Sequence, residues 1–105
     1  MLYDSTSARL LLGALMIKPS LALSEKYPLS VHDFQPNTFH IRLYQAISAL
    51  AKRGAETIAD LDIYNLCKNN KAVETIFKEN DLTGFIDTVK QLANVGNFEV
   101  YYNNT

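Results

Sequence analysis

The sequence predicts an all-α domain, a compact orthogonal bundle of about six short helices plus the start of a seventh. Three observations carry that expectation. Apolar residues recur at helical spacing along most of the chain. No segment alternates apolar and polar residues with β-branched enrichment, as a half-buried strand would. The four glycines and three prolines fall where helices should start or stop.

The first helix is expected from Thr6 to Ile17, with Ala8, Leu11, Leu12 and Leu15 on one buried face. Ser5, Thr6 or Ser7 can cap it, and Pro19 ends it. A short second helix is expected over Ser20 to Tyr27, stopping before Pro28. Residues 30–37 read as an ordered loop or single turn anchored by Phe34. The third helix starts at Asn37 or Thr38 and ends in Lys52, Arg53 and Gly54, a basic last turn followed by glycine. Tyr44, Ile47 and Ala51 form its inner stripe, widened by Leu43 and Leu50. Asp60 is expected to cap a fourth helix with Ile63, Leu66 and Cys67 inward, and Asn69 and Asn70 break it. A fifth carries Val73, Ile76 and Phe77. The sixth, Thr83 to Asn94, is expected to bury Phe85, Ile86, Val89, Leu92 and Ala93. Gly96 stops it, and Asn97 can cap a seventh with Phe98, Tyr101 and Tyr102 on one face. The third and sixth helices, longest and most regular, are expected at the centre.

Composition narrows the function classes. A chain of 105 residues with 48% hydrophobic and 20% charged residues suits one folded domain, and a net charge of −1 argues against disorder. Ten basic against eleven acidic residues provide no overall field for gripping nucleic acid. One cysteine excludes an internal disulfide and suits a reducing compartment. No apolar run approaches the ~20 residues of a membrane helix, and Leu10 to Ile17 reads as a short helix face. Asp4 precedes that run, with no basic n-region and no A-x-A site, so no secretory signal is expected. The expected location is the cytoplasm.

The search for chemistry is mostly negative. No glycine is followed by lysine, so these residues hold no Walker A loop. His32, His40 and Cys67 are the soft metal-ligand candidates, but no ligand spacing joins them, and Cys67 falls on a buried stripe. Asp60 and Asp62 are better explained by a helix start than as an acid–base pair. Lys52, Arg53, Lys68, Lys71 and Lys78 suit a solvated face near helix C-termini more than a nucleic-acid patch. The aromatic stripe Phe98, Tyr101 and Tyr102 lacks an obvious partner. It either folds back on the core or faces another protein. No catalytic residue, metal ligand or cofactor site is assigned, which favours a binding or assembly role.

Order and spacing of short motifs carry a resemblance. The run Leu12-Gly13-Ala14-Leu15-Met16 is followed by Lys18-Pro19, Asp33-Phe34, His40, Ala46-Ile47, Leu50, Gly54 and Ile58. It resembles the N-terminal domain of replicative DNA helicases of the DnaB family. The later run from Gln91 to Val95, then Asn97 and Tyr101-Tyr102, resembles that family's next segment, so the likeness spans roughly residues 8 to 102. There are departures. Thr6-Ser7-Ala8 stands where the family has an acidic E-A-E run. Gly84 stands alone where it has a glycine pair. The stretch from Ala93 to Asn97 is shortened, and Ile58-Ala59-Asp60 replaces an Ile-Asp pair.

The resemblance implies the collar part of a hexameric, ATP-driven helicase. Residues 1–96 would be its helical head and residues 97–105 the start of a helical hairpin. The motor domain would lie beyond these residues, with ATP and Mg bound only there. Implied partners are primase or a helicase loader, with self-association in the parent hexamer, single-stranded DNA only through the parent, and no membrane. Leu12, Gly13, Asp33, Phe34, His40, Ile47 and Gly54 are the motif positions, read as structural. Phe98, Tyr101 and Tyr102 are the candidate interface, through which this chain is expected to dimerise weakly. Two other readings stand beside this one: the helicase-binding domain of a primase, disfavoured by the N-terminal Met, and a small enzyme using Cys67 or the His pair.

Overall fold

The computed structural model describes residues 5–104, and every regular element among them is helical. The α-helices are α1 (Ser5–Ile17), α2 (Thr38–Lys52), α3 (Asp60–Cys67), α4 (Lys71–Glu79), α5 (Leu82–Leu92) and α6 (Phe98–Asn103). Short 3-10 turns at Pro19–Leu23, Val31–Phe34 and Val95–Asn97 complete the order. The all-α expectation is met.

Helix α1, not α2 or α5, is the central element. It packs on α5, α6 and α2, and residues 11–16 are all buried. Length and regularity report a one-sided helix, whereas a helix that is apolar all round must be enclosed. The run Leu10 to Ile17 has that all-round character. Gly13 permits its closest approach. A Cβ there would sit 2.6 Å from the Val89 carbonyl oxygen and 3.0 Å from the Ala93 Cβ, so α1 and α5 cross nearly backbone to backbone. The C-terminus of α1 is closed from outside, because Ile58 N–H donates to the Met16 carbonyl at 2.9 Å.

Helix α2 has the expected ends. The Asn37 side chain accepts from His40 N–H at 2.9 Å. Gly54, at φ 90°, terminates it with Gly54 N–H on the Ala51 carbonyl and Ala55 N–H on the Leu50 carbonyl, the paired bonds of a Schellman end. Asn70 caps α4 through Val73 N–H, and Asp81, at φ 49°, caps α5 through Gly84 N–H. A Cβ on Gly84 would meet the Asp81 carboxylate, so the capping side chain would have to shift to admit one.

Four local expectations need correction. Residues Ser20 to Tyr27 do not form an α-helix; a 3-10 turn covers Pro19–Leu23, and the cap position, Lys18, makes no side-chain cap bond. Ser24, extended at φ −68° and ψ 130°, ends the turn there. Asp60 is not the cap of α3. The helix begins one residue earlier than expected, Ala59 holds the cap position, and the Asp62 carboxylate accepts Ala59 N–H at 2.8 Å. Asp60 instead accepts the Thr83 hydroxyl at 2.7 Å, tying α3 to the start of α5. Thr6 and Ser7 lie inside the first turn of α1 rather than at its cap; any residue before Ser5 is outside the described residues. Leu92 is 65% exposed, because the buried stripe of α5 runs through Leu82, Ile86 and Val89 and leaves its last residue outside.

Candidate functional site

The motif residues are parts of the core and its joints. Leu12, Phe34 and Ile47 are fully buried. Gly13 sets the α1–α5 crossing, and Gly54 ends α2. The Asp33 carboxylate accepts Ser30 N–H at 2.7 Å while the Ser30 hydroxyl accepts His32 N–H at 3.3 Å, closing the turn that presents Phe34. Phe34 then stacks on Tyr44, ring centroids 4.9 Å apart.

His40 is 3% exposed in the first turn of α2. Its ring lies among Phe39 and Phe85, with centroids 5.8 and 5.7 Å away, and Arg9 sits over Phe85 at 5.7 Å. Burial, and then the nearby Arg9 charge, lower its pKa to about 4, so the imidazole is neutral at physiological pH. Among the described residues no buried side-chain nitrogen or oxygen lacks a hydrogen-bond partner. His40 is therefore a satisfied core group.

The remaining chemical candidates are dispersed. His32 is exposed on its 3-10 turn while His40 is interior. Cys67 is buried at the end of α3, and desolvation followed by the Glu74 charge pushes its thiol pKa up. A nucleophilic cysteine needs the reverse shift. Among the described residues no group of three or more His, Cys, Asp or Glu side chains converges to hold a metal. Asp60 and Asp62 bond to different partners, as capping and tethering groups. Lys78 pairs with Glu74 at 2.7 Å on the surface of α4. Lys52, Arg53, Lys68 and Lys71 are exposed at helix ends. No helix among the described residues is long and apolar enough to cross a membrane.

The C-terminal aromatic stripe folds back on the head. Phe98 and Tyr101 are buried in the shared core, and Tyr102 is half-buried. Of the two readings of the stripe, folding back on the core is the one seen, and as candidate interface residues Phe98 and Tyr101 are corrected, being buried, while Tyr102 is partly open. The partner that could not be seen in the sequence is Tyr27, whose ring meets Phe98 and Tyr102 edge-on at 5.3 and 5.2 Å. Two hydroxyls complete the docking. Tyr101 Oη accepts Asn94 N–H at 3.0 Å, and Tyr102 Oη donates to the Pro28 carbonyl at 2.8 Å.

What lies open is different. A groove of about 270 Å³ between α1 and α5 is lined by Thr6, Arg9, Leu10, Val89 and Leu92. Leu61 and Val100 are also largely exposed. Helical spacing gave no sign of these, because each sits at or beyond the edge of an otherwise correct apolar stripe.

The chain is similar to the SPbeta prophage-derived uncharacterized protein YorI of Bacillus subtilis (strain 168), with 33% identity over 103 residues. The match takes in 97% of this chain but 20% of that protein, so the chain spans about a fifth of the relative's length. No protein-family description matches the chain, and no solved structure matches it.

Proposed function

We propose that this chain is the N-terminal head of a replicative DNA helicase of the DnaB family, a module that assembles and docks rather than catalyses. One observation carries the reading. The residues of the resemblance, spread from Leu12 to Tyr102, occupy positions that determine a single fold. They include a helix crossing at Gly13, a turn cap at Asp33, a buried anchor at Phe34 and a helix end at Gly54. Motifs matched by accident have no reason to coincide with such joints. The relative that aligns with nearly all of this chain within a much longer protein is consistent with a module of a larger machine.

In this reading the head contributes to a hexameric collar in the cytoplasm and receives primase or a helicase loader. ATP, Mg and single-stranded DNA are handled by a motor domain encoded downstream. The test is size-exclusion chromatography of the chain with purified cognate primase and, separately, with a purified helicase collar. Co-elution with primase is expected. Co-elution with a helicase collar but not with primase would favour the primase-domain reading instead. A downstream coding sequence without a Walker A loop in the following few hundred residues would contradict the parentage.

A further inference from the structure

Two neighbouring carbonyls of the irregular stretch 24–30 are held by tyrosine hydroxyls from different parts of the chain. Pro28 accepts from Tyr102 at 2.8 Å and Leu29 from Tyr44 at 3.0 Å. Tyr27, beside them, carries the ring that meets Phe98 and Tyr102. The stretch thus lies between α2 and α6 and is tied to both.

Helix α6 has six residues, well below the ~12–15 at which an isolated helix holds itself in water. Its shape depends on docking through Phe98, Tyr101 and Tyr102. Among the described residues the ring contacts fall into separate sets. Tyr27, Phe98 and Tyr102 contact one another, whereas Phe39, His40, Phe77 and Phe85 form a second cluster inside the head. Phe98 of the first set is buried in the shared core, while Tyr27 and Tyr102 are half-buried and the Tyr102–Pro28 bond is open to solvent.

We propose that Tyr27, Phe98, Tyr102 and the Pro28 carbonyl form a latch that closes α6 on the head and opens as a local unit while the rest of the head stays folded. A short terminal helix whose outer bond is solvent-exposed is the kind of element that opens below the global unfolding threshold. The latch follows from the fold alone. Its consequence, that it fixes the direction in which a hairpin leaves the head, rests on the helicase reading.

The test is amide hydrogen exchange, read by NMR, on the 105-residue chain carrying Tyr27→Ala and Tyr102→Ala. Two amides report on docking: Asn94, which donates to Tyr101 Oη, and Asn104, which closes the end of α6. Ile58, bonded to the Met16 carbonyl, reports on the head. Exchange at Asn94 and Asn104 should rise at least about tenfold, with Ile58 unchanged within about twofold. A parallel rise at all three would make α6 and the head one cooperative unit and overturn the proposal. So would an unchanged Asn94. If the double variant does not fold, Tyr102→Phe removes only the hydroxyl; it should raise exchange at Asn94 and Asn104 by about threefold, and no rise there overturns the latch. Either failure leaves primase co-elution, and hence the helicase reading, to be judged separately.

Discussion

The two aromatic clusters of this small domain are built on different physics. The inner one joins Phe39 and His40 of α2, Phe77 of α4 and Phe85 of α5; the first three are buried, Phe85 is half-buried, and no hydroxyl is among them. The outer one joins Tyr27 of an irregular stretch to Phe98 and Tyr102 of a six-residue helix, and adds a hydroxyl bond at its edge. The inner cluster is held by area removed from water and by close packing. Edge-on ring pairs occur in both, and the outer one adds a polar bond that solvent can replace. The difference poses the question of whether burying a side chain makes its element part of the same cooperative unit.

The largest effect is expected at Phe77, which is fully buried. Phe77→Ala should cost about 3–5 kcal/mol and lower the single unfolding transition seen by circular dichroism. A loss confined to one segment would erase the distinction between the clusters. Next is Gly13→Ala, where the added Cβ meets the Val89 backbone. The clash should outweigh the gain in helix propensity and destabilise by about 1–2 kcal/mol in urea titrations. A stabilised variant would show that the α1–α5 contact is looser than described.

Acid sharpens the comparison, because only the inner cluster contains a depressed base. His40 titrates near 4 when folded and at its ordinary 6.5 when unfolded. Between those values the unfolded chain binds the extra proton. The contribution of neutral His40 is therefore intact above about pH 6.5, is lost as pH falls towards about 4, and changes no further below that. Urea titrations should register about 1–2 kcal/mol of this loss by pH 5, and His40→Gln should flatten that part of the pH dependence. An unaltered slope in the variant would assign the acid sensitivity elsewhere. The smallest effect belongs to the outer edge. Tyr102→Phe should cost about 0.5–1.5 kcal/mol locally and leave the global melting temperature nearly unchanged.

Much of this architecture was legible in the residues. Asn37, Gly54, Asn70 and Asp81 mark helix ends through short-range backbone chemistry, and that chemistry is written locally. The rest depended on what each element meets. Nothing local to Tyr27 announces a ring set edge-on against residues more than seventy positions away, so the stretch before Pro28 read as a helix and the tail stood open between folding back and an interface. Likewise Leu10 to Ile17 read as a one-sided face, although its all-round apolarity is the signature of the central helix. For the site, the motif positions read as structural fall in the core and at its joints. The exposed Leu92 beside the α1–α5 groove was not foreseen, because periodicity identifies a stripe but not where a neighbouring helix stops covering it.

The most direct test of the two-region account is native-state amide exchange of the unaltered protein across low urea concentrations, comparing Asn94 with Ile58. The account predicts that Ile58 exchanges only through global unfolding, with strong urea dependence. Asn94 should exchange through a smaller opening that is nearly independent of urea and lower in free energy. Merging of the two amides onto one urea-dependent line from the outset would contradict it.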